Sequence, residues 1–158
     1  MDAPTIRPVT DLAADWPAIE PLLLALHTHH VPLVGNPLLE DWAQRHRALL
    51  EGSLASGDGV ALLAEVDGVA VGFANGAIRR DPDVVRETFG YIDNVVVAPE
   101  HRGTRIASTL TDTLAQWFRD RGVHELQLSV IAANTHAVEV WRALGFEPLA
   151  YRMIRREA

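Results

Sequence analysis

The residues best suited to chemistry lie where a predicted strand over 91–97 leads into a predicted helix that begins near Thr104. Backbone N–H groups in the first turn of a helix have no partner inside the helix, and the helix dipole adds partial positive charge there. Together they favour an anion such as a pyrophosphate. Arg102 and Arg105 add full charges, and Gly103 lets the backbone approach a ligand closely. Arginine and glycine are common in such loops, so this stretch alone does not establish a phosphate site.

A second group of residues lies further along the chain, between Asn134 and Phe146. Asn134 precedes Ala137 by three positions, and Leu144 and Gly145 stand directly before Phe146. An amphipathic helix that is capped at its start and closed by glycine accounts for this pattern. The segment therefore predicts a helix without specifying a chemistry.

Taken together, the two segments resemble the cofactor-binding half of the GNAT superfamily of acyl-CoA-dependent N-acyltransferases. The first carries the motif Ile92-Asp93-Asn94-Val95-Val96-Val97-x-Pro99-Glu100-x-Arg102-Gly103. The second carries Asn134-x-x-Ala137 followed by Leu144-Gly145-Phe146-Glu147-Pro148. The motifs cover residues 88–150, whereas residues 1–87 agree with the superfamily only in the order of their elements.

The resemblance implies a fold of the α/β class, the GNAT acyl-CoA N-acyltransferase fold, with a mixed sheet splayed between strands 4 and 5. Acetyl-CoA, the acyl donor, would enter that opening, and no metal is implied. The implied partners of its pantetheine are backbone groups of Val95, Val96 and Val97. The implied partners of its pyrophosphate are Arg102, Gly103, Thr104, Arg105, Ile106, Ala107 and Ser108. Asn134 would lie near the far arm of the cofactor.

The resemblance also implies a mechanism, in which an amine attacks the thioester directly. The chain has no cysteine, which is consistent with that route because it excludes a cysteine-bound acyl intermediate. A backbone N–H near Val95 would stabilise the oxyanion. Asp93 stands where related enzymes often carry Glu, so it is the candidate base. Asp93 could instead order the sheet or hold a cationic acceptor.

Two positions depart from the superfamily pattern. Arg105 stands where the phosphate loop usually has its middle glycine, and the backbone amides remain usable only if Arg105 has a helical φ. Its side chain would clamp a phosphate or point to solvent. Trp141 stands where a tyrosine often serves as general acid, and an indole N–H cannot shuttle a proton. Tyr91, Tyr151 or water could replace that acid, or Trp141 could simply pack in the core.

The acceptor site is the least specified part of the sequence. His27, His29 and His30 lack the spacing of a helical metal-binding pair. The resemblance places this segment between the first two helices, where acceptors usually bind. His27, His30, Trp42 and Tyr91 are therefore candidate acceptor contacts, with surface positions as the alternative. A nearby loop carries three arginines that we expect to be solvated, with substrate gating or a dimer contact as the alternatives: Arg79, Arg80 and Arg86.

Hydrophobic periodicity and turn residues predict the elements that must position these groups. The expected order is β-α-α-β-β-β-α-β-α-β. The strands are predicted at 4–9, 59–66, 69–77, 91–97, 123–131 and 146–155. Helices are predicted from Asp11 to a break at 27–32, over 38–50, over 104–121, and from Asn134 or Thr135 to Gly145. Asp67-Gly68 is a strong signal for a two-residue hairpin.

Length and composition limit the class of protein. A chain of 158 residues is expected to form a single domain, 1–158. All 14 basic residues are arginines, which excludes a Schiff-base lysine. A net charge of −7 disfavours nucleic acid as a partner and weakly favours a cationic acceptor. The absence of a long apolar run or a secretory signal predicts a cytoplasmic protein that does not bind membranes.

The function that follows is N-acetyltransfer from acetyl-CoA to a primary amine, on a small molecule or a peptide N-terminus. A non-catalytic acyl-CoA binding or sensing module is the alternative, motivated by Trp141 and Arg105. A tRNA-directed acetyltransferase toxin is a third hypothesis, which the negative charge opposes. Dimers are frequent in the superfamily, so we expect a homodimer.

Overall fold

The computed structural model of the protein describes residues 3–85 and 87–157. Its elements, in chain order, are β1 (Thr5–Pro8), α1 (Leu12–Val34), α2 (Trp42–Ala55), β2 (Gly59–Val66), β3 (Val69–Arg80), β4 (Thr88–Val97), a 3₁₀ turn (Pro99–His101), α3 (Ile106–Arg119), β5 (Leu126–Leu128) and α4 (Thr135–Ala143). The strands form a five-stranded sheet in the order β1-β2-β3-β4-β5. Neighbours are antiparallel from β1 to β4, and β4 pairs with β5 in parallel. The mixed sheet confirms the predicted fold class.

Local signals account for several of these elements. The Oδ1 atom of Asp11 accepts a hydrogen bond from the Ala14 N–H at 3.1 Å, which caps α1 as predicted. Asp67 and Gly68 join β2 to β3 with φ values of 52° and 76°, the backbone that a tight hairpin turn requires. The structure therefore confirms the hairpin.

The core lies where α1, α2 and α3 pack on the strands. Helix α3 contacts β1, β2, β3 and β4, whereas α1 contacts β3 and β4, and α2 contacts β2. The largest fully buried side chains are Phe73, Phe118, Ile19, Leu23, Leu63, Leu110 and Leu114. These residues come from α1, α3 and the strands β2 and β3, and all of the buried core residues in the described chain lie between Val9 and Val123.

The predicted break at 27–32 is wrong, because α1 continues through it to Val34. Pro32 removes one backbone donor, but the helix bonds on either side persist, and the Gly35 N–H still reaches the Val31 carbonyl at 2.8 Å. The buried residues Trp16, Ile19 and Leu23 anchor the helix on the sheet. Tertiary packing therefore outweighs the local preference of proline.

The second half of the chain also departs from the predicted boundaries. Strand β3 extends to Arg80, so Arg79 and Arg80 belong to a strand rather than a loop, and Arg86 lies outside the described residues. Strand β5 has only 3 residues, from Leu126 to Leu128. The predicted terminal strand over 146–155 is wrong, since no strand follows α4 in the described chain up to Glu157. Alternation alone does not make a strand when no neighbouring edge pairs with it.

Candidate acyl-donor and acceptor site

Strand β4 separates from β5 directly after Ile92. The parallel pairing is confined to Gly90, Tyr91 and Ile92, opposite Leu126, Gln127 and Leu128, while β4 continues to Val97. The separation coincides with a bulge, because Asn94 lies opposite Asn75 but Ile92 lies opposite Gly76. Asp93 is the extra residue of that bulge and stands at the apex of the opening. The splayed sheet predicted between strands 4 and 5 is therefore present.

Beyond the apex, β4 offers backbone groups to the opening. The Ala98 N–H donates to the Val71 carbonyl at 2.8 Å, which places Ala98 in a hydrogen-bonded pair with β3. Backbone groups of successive strand residues alternate between the two edges of a strand. Those of Val95 and Val97 therefore point away from β3, whereas those of Val96 point towards it. The Val97 carbonyl indeed faces outward, where it accepts a hydrogen bond from Arg102 Nε at 3.2 Å.

The loop after β4 brings backbone amides to the same place. Gly103 has a φ of 75°, a left-handed conformation that side chains with a Cβ rarely adopt. Arg105 has φ −82° and ψ 7°, so it does not need the freedom of a glycine. Arg105 therefore has the helical φ that a phosphate loop without its middle glycine requires.

The start of α3 leaves its first amides accessible. Its first backbone bond runs from the Thr109 N–H to the Arg105 carbonyl at 2.9 Å, and the Ser108 hydroxyl donates to the same carbonyl at 2.8 Å. The cap residue Arg105 makes no side-chain hydrogen bond to the helix, and the Ile106 N–H donates only a long hydrogen bond, 3.5 Å, to Thr104 Oγ1. The N–H groups of Ala107 and Ser108 have no partner within the helix and that of Ile106 has only this long bond, which is the arrangement that favours an anion at a helix N-terminus.

A shallow cavity of about 340 Å³ adjoins this loop. Its lining consists of Ala3, Pro4, Val66, Thr104, Arg105, Ile106 and Thr109. None of these residues belongs to β4, but Thr104, Arg105, Ile106 and Thr109 belong to the loop and the first turn of α3. The cavity therefore borders the helix terminus without reaching the strand edge.

Asn134 holds the start of α4. Its Oδ1 accepts from the Ala137 N–H at 3.2 Å, and its Nδ2 lies 3.4 Å from His29 Nε2. The end of α1 and the start of α4 therefore meet here. The side chain is occupied as a helix cap, which is a role that the sequence pattern also allowed.

Asp93 belongs to a polar cluster that spans three strands. Arg79 Nη2 donates to Asp93 Oδ1 at 2.6 Å, and the guanidinium carbon lies 3.7 Å from the centre of the Tyr91 ring. The Tyr91 hydroxyl lies 2.6 Å from Ser129 Oγ, just beyond β5. Burial raises the pKa of Asp93, and the charge of Arg79 lowers it by a smaller amount.

Sequence reasoning missed two members of this cluster, Arg79 and Ser129. Arg79 is exposed as expected, but its guanidinium also pairs with Asp93 and stacks on Tyr91, which the sequence did not indicate. The missing information was the register of β3 against β4, since the pairing of Arg79 with Phe89 brings the arginine towards Tyr91.

A second cluster lies between α1 and α2. The His27 ring is 5.2 Å from Trp42 and 5.5 Å from His46, measured between ring centres. Burial lowers the pKa of His27 and of His46, which favours neutral imidazoles. Burial also lowers the pKa of His30, with smaller contributions from its histidine neighbours. His46 follows Trp42 by one helical turn, a spacing that could have identified it.

Trp141 packs edge-on against Phe146, with ring centres 5.4 Å apart. Trp141 therefore has a local packing role, but it is only half-buried and does not belong to the core, where the simpler explanation placed it. Of the tyrosines considered as substitutes for an acid, Tyr91 is bonded to Ser129 and Tyr151 is 87% exposed.

The described residues contain neither a helix suited to span a membrane nor a metal-binding cluster. None of the helices within 3–85 and 87–157 combines the length and hydropathy needed to cross a membrane. In the same residues, no three His, Asp or Glu side chains are grouped so that they could hold a metal ion.

Comparison with known proteins agrees with the geometry of β4 and α3. The model of the Acetyltransferase (GNAT) family matches residues 16–146. The chain belongs to this family. The match runs from α1 to the end of α4 and so includes the strand edge, the loop and the helix terminus.

Curated relatives of this GNAT protein are acetyltransferases by name. It is 28% identical to the aminoglycoside N(6')-acetyltransferase type 1 of Salmonella enteritidis over 123 residues, which are 69% of this chain and 85% of the relative. It is 36% identical to the mycothiol acetyltransferase of Thermobispora bispora over 84 residues, 53% of this chain and 28% of that protein. It is 32% identical to the uncharacterized N-acetyltransferase YobR of Bacillus subtilis, with the match spanning 45% of this chain and 30% of YobR.

Solved structures share the fold at low sequence identity. The aminoglycoside acetyltransferase AAC(6')-Iy, in complex with the bisubstrate analogue CoA-S-monomethyl-acetylneamine, aligns with a TM-score of 0.79 and 23% identity over 99% of both chains. A BH1408 mutant from Bacillus halodurans aligns with a TM-score of 0.85 and 16% identity, covering 98% of this chain and 99% of the other. These likenesses establish the GNAT fold.

Proposed function

We propose that this protein is an N-acetyltransferase that moves the acetyl group of acetyl-CoA to a primary amine by direct attack. The observation that carries the proposal is the adjacency of two backbone surfaces. The outward edge of β4 at Val95 and Val97 meets the loop that leads into α3 through the Arg102 contact, and Arg105 provides no side-chain cap at the start of that helix. An extended amide chain and a pyrophosphate need those two surfaces in that order.

The chain's groups fit the acyl donor as follows. Val95 and Val97 provide outward N–H and C=O groups for pantetheine, while Val96 contributes through its position in the strand rather than through outward backbone groups. The amides of Ile106, Ala107 and Ser108 provide donors for the pyrophosphate, with the left-handed Gly103 shaping the loop. Arg102 and Arg105 add positive charge, and Arg102 must release the Val97 carbonyl if pantetheine is to pair there.

Asp93 and Val95 would carry the reaction. The Asp93 carboxylate takes the proton that the attacking amine must lose, directly or through water. The outward N–H of Val95, two residues further along β4, stabilises the oxyanion, a contribution typically worth roughly 10²–10³ in rate. A thiolate leaves without much acid help because thiol pKa values lie near about 8.5. Trp141 is therefore compatible with activity.

The acceptor is an amine on a small molecule or a peptide N-terminus, and its site lies on the α1–α2 side. His27, Trp42 and His46 offer aromatic faces there, His30 lies one turn beyond His27, and Tyr91 stands beside Asp93. An aminoglycoside acetyltransferase among the relatives supports a polycationic small molecule. The net charge of −7 supports the same class.

We also propose that the protein is a homodimer. The support comes from residues 149–154, which leave α4 without joining the sheet. Their apolar side chains are 74–90% exposed, and they are Leu149, Tyr151, Met153 and Ile154. In the described chain β5 forms one edge of the sheet, and its outer side has no partner strand. An exposed apolar segment of this kind could pair with that edge in a second copy. The single domain over 1–158, the cytoplasmic location and the absence of a nucleic-acid or membrane partner stay predictions.

The test is calorimetric titration with acetyl-CoA and, separately, with free CoA, followed by an amine screen that detects released thiol. Micromolar binding with acetyl transfer to at least one amine is the expected result. Tight binding without transfer to any amine would favour the non-catalytic binding module instead. No binding of either ligand up to millimolar concentration would contradict the proposal at its first step.

A further inference from the structure

The bulge at Asp93 makes this carboxylate different from the other acidic groups of the sheet. Asp93 has no residue opposite it in β3 and no partner in β5, because β5 leaves after Ile92. Its side chain is 30% exposed and lies at the apex of the opening. A bulge interrupts the ladder and re-aims the side chain that it carries, so neighbouring side chains must fix its direction.

Arg79 is placed to do so. It reaches across from β3, donates to Asp93 Oδ1 at 2.6 Å, and lies with its guanidinium carbon 3.7 Å from the Tyr91 ring centre. Tyr91 is held in turn by its hydroxyl contact with Ser129 at 2.6 Å. A planar guanidinium can stack on a ring and bond to a carboxylate at the same time, which a lysine ammonium cannot do in the same way.

We propose that Arg79 is a positioning residue that, braced on Tyr91, holds the Asp93 carboxylate towards the acceptor amine at the apex between β4 and β5. The inference rests on the proposed function. In the step that it serves, the amine nitrogen forms a bond to the acetyl carbon and the carbon–sulfur bond breaks, with its electron pair leaving on the thiolate. Asp93 Oδ2, the oxygen not bonded to Arg79, accepts the proton that the nitrogen loses.

The arrangement is better explained by positioning than by stability. The Arg79 side chain is 47% exposed, and an ion pair with that exposure contributes little to folding. Its charge nevertheless acts on Asp93 against the effect of burial, which raises the pKa of that carboxyl. Tyr91 is the other titratable group at the cluster. In the described chain, Arg79 is the charged group whose field reaches Asp93.

The test compares Arg79→Gln and Arg79→Lys with Arg80→Gln. Arg80 is also exposed and ends the same strand, so its replacement removes the same charge from the same region. The first readout is the Asp93 carboxyl titration by ¹³C NMR, assigned with Asp93→Asn. The second is the pH dependence of kcat and of KM for acetyl-CoA with an amine found in the screen.

Arg79→Gln is expected to move the Asp93 titration and the acid limb of kcat/KM to higher pH. It should also lower kcat by about 10–100-fold, the usual cost of a misplaced reacting group, with the KM for acetyl-CoA unchanged. Arg79→Lys should reverse part of the shift in the Asp93 titration but restore less of kcat. The lysine returns the positive charge but lacks the planar guanidinium that stacks on Tyr91 and bonds to the carboxylate. Arg80→Gln should behave as the parent protein.

An Asp93 titration that is the same in Arg79→Gln and Arg80→Gln would overturn the inference. So would a titration that moves while the acid limb and kcat stay at parent values. The NMR readout does not depend on turnover, so failure of the parent protein with every amine would contradict the proposed function and its base, while the coupling of Arg79 to Asp93 would still be measured separately.

Discussion

The two sides of the opening between β4 and β5 are built differently. On one side, α3 buries Ile106, Leu110, Leu114 and Phe118 against four strands. On the other side, β5 has 3 residues of intermediate burial, and α4 buries no residue fully in the described chain. We call these the packed side, β1–β4 with α1–α3, and the open side, residues 126–157, which contain β5 and α4.

The groups proposed to bind acetyl-CoA belong mainly to the packed side. The edge of β4 and the start of α3 stand on elements that the core fixes, which is the arrangement that precise binding needs. The open side contributes Asn134 and Ser129 from segments with few buried contacts. Regions with few buried contacts open at lower free energy than a core does. The open side is therefore the part that can adjust around a ligand or a partner.

The largest expected effect is a difference between the two sides in how much the removal of an aromatic ring lowers the free energy of unfolding. Phe118→Ala removes a fully buried ring from α3 and should cost about 3–5 kcal/mol of unfolding free energy. Trp141→Ala removes a larger but only half-buried ring from α4 and should cost about 1 kcal/mol. Urea denaturation followed by circular dichroism measures both. Similar losses in the two variants would mean that the open side is part of the same core.

The phosphate loop should be sensitive to backbone conformation. Gly103→Ala places a Cβ on a residue with φ 75°, where the space around it is open but the conformation is strained. It should weaken acetyl-CoA binding about tenfold, corresponding to roughly 1.4 kcal/mol, as the loop relaxes. Gly57→Ala is the matched control, because Gly57 has φ 80° and equally open surroundings far along the chain from the loop. If calorimetry finds the same affinity for acetyl-CoA in Gly103→Ala, binding does not depend on the left-handed turn at this residue.

Equivalent caps should have different consequences on the two sides. Asp11 and Asn134 accept from the third following amide at 3.1 and 3.2 Å, respectively. Asp11→Ala should lower global stability by about 1 kcal/mol, because α1 is part of the core. Asn134→Ala should instead raise hydrogen exchange within 135–143 with little change in the global transition. If Asn134→Ala lowers the global midpoint as much as Asp11→Ala does, the contrast between the sides fails for α4.

The smallest effect concerns pH and the contact between α1 and α2. Burial holds the pKa values of His27 and His46 below the ordinary 6.5, so the unfolded chain binds more protons than the folded one below that pH. Stability should be full above about pH 6.5 and fall by a few degrees in Tm as the pH drops through the folded values. His46→Phe should flatten this dependence, whereas His124→Phe, at an exposed position, should not. A thermal-shift series from pH 5 to 8 would contradict the account if both variants kept the parent slope.

Sequence alone determined the features that depend on neighbouring residues. The apolar spacing of α3, the Asp11 cap and the Asp67-Gly68 turn were all predicted, because periodicity and turn chemistry act over a few positions. The motif around Val95 and Gly103 also placed a strand edge before a helix terminus. The family match over 16–146 confirms the relationship that those residues indicated.

Only the tertiary structure decided the features that depend on residues far apart in the chain. Helix α1 runs through Pro32 because its buried face is anchored on the sheet, and residues 146–155 form no strand because no edge pairs with them. The contact of Arg79 with Asp93 joins β3 to a bulge in β4. Register and bulges are set by packing across strands, and a one-residue shift changes which side chains meet. Local sequence carries no such information, so the base candidate was identified from the sequence but its partner was not.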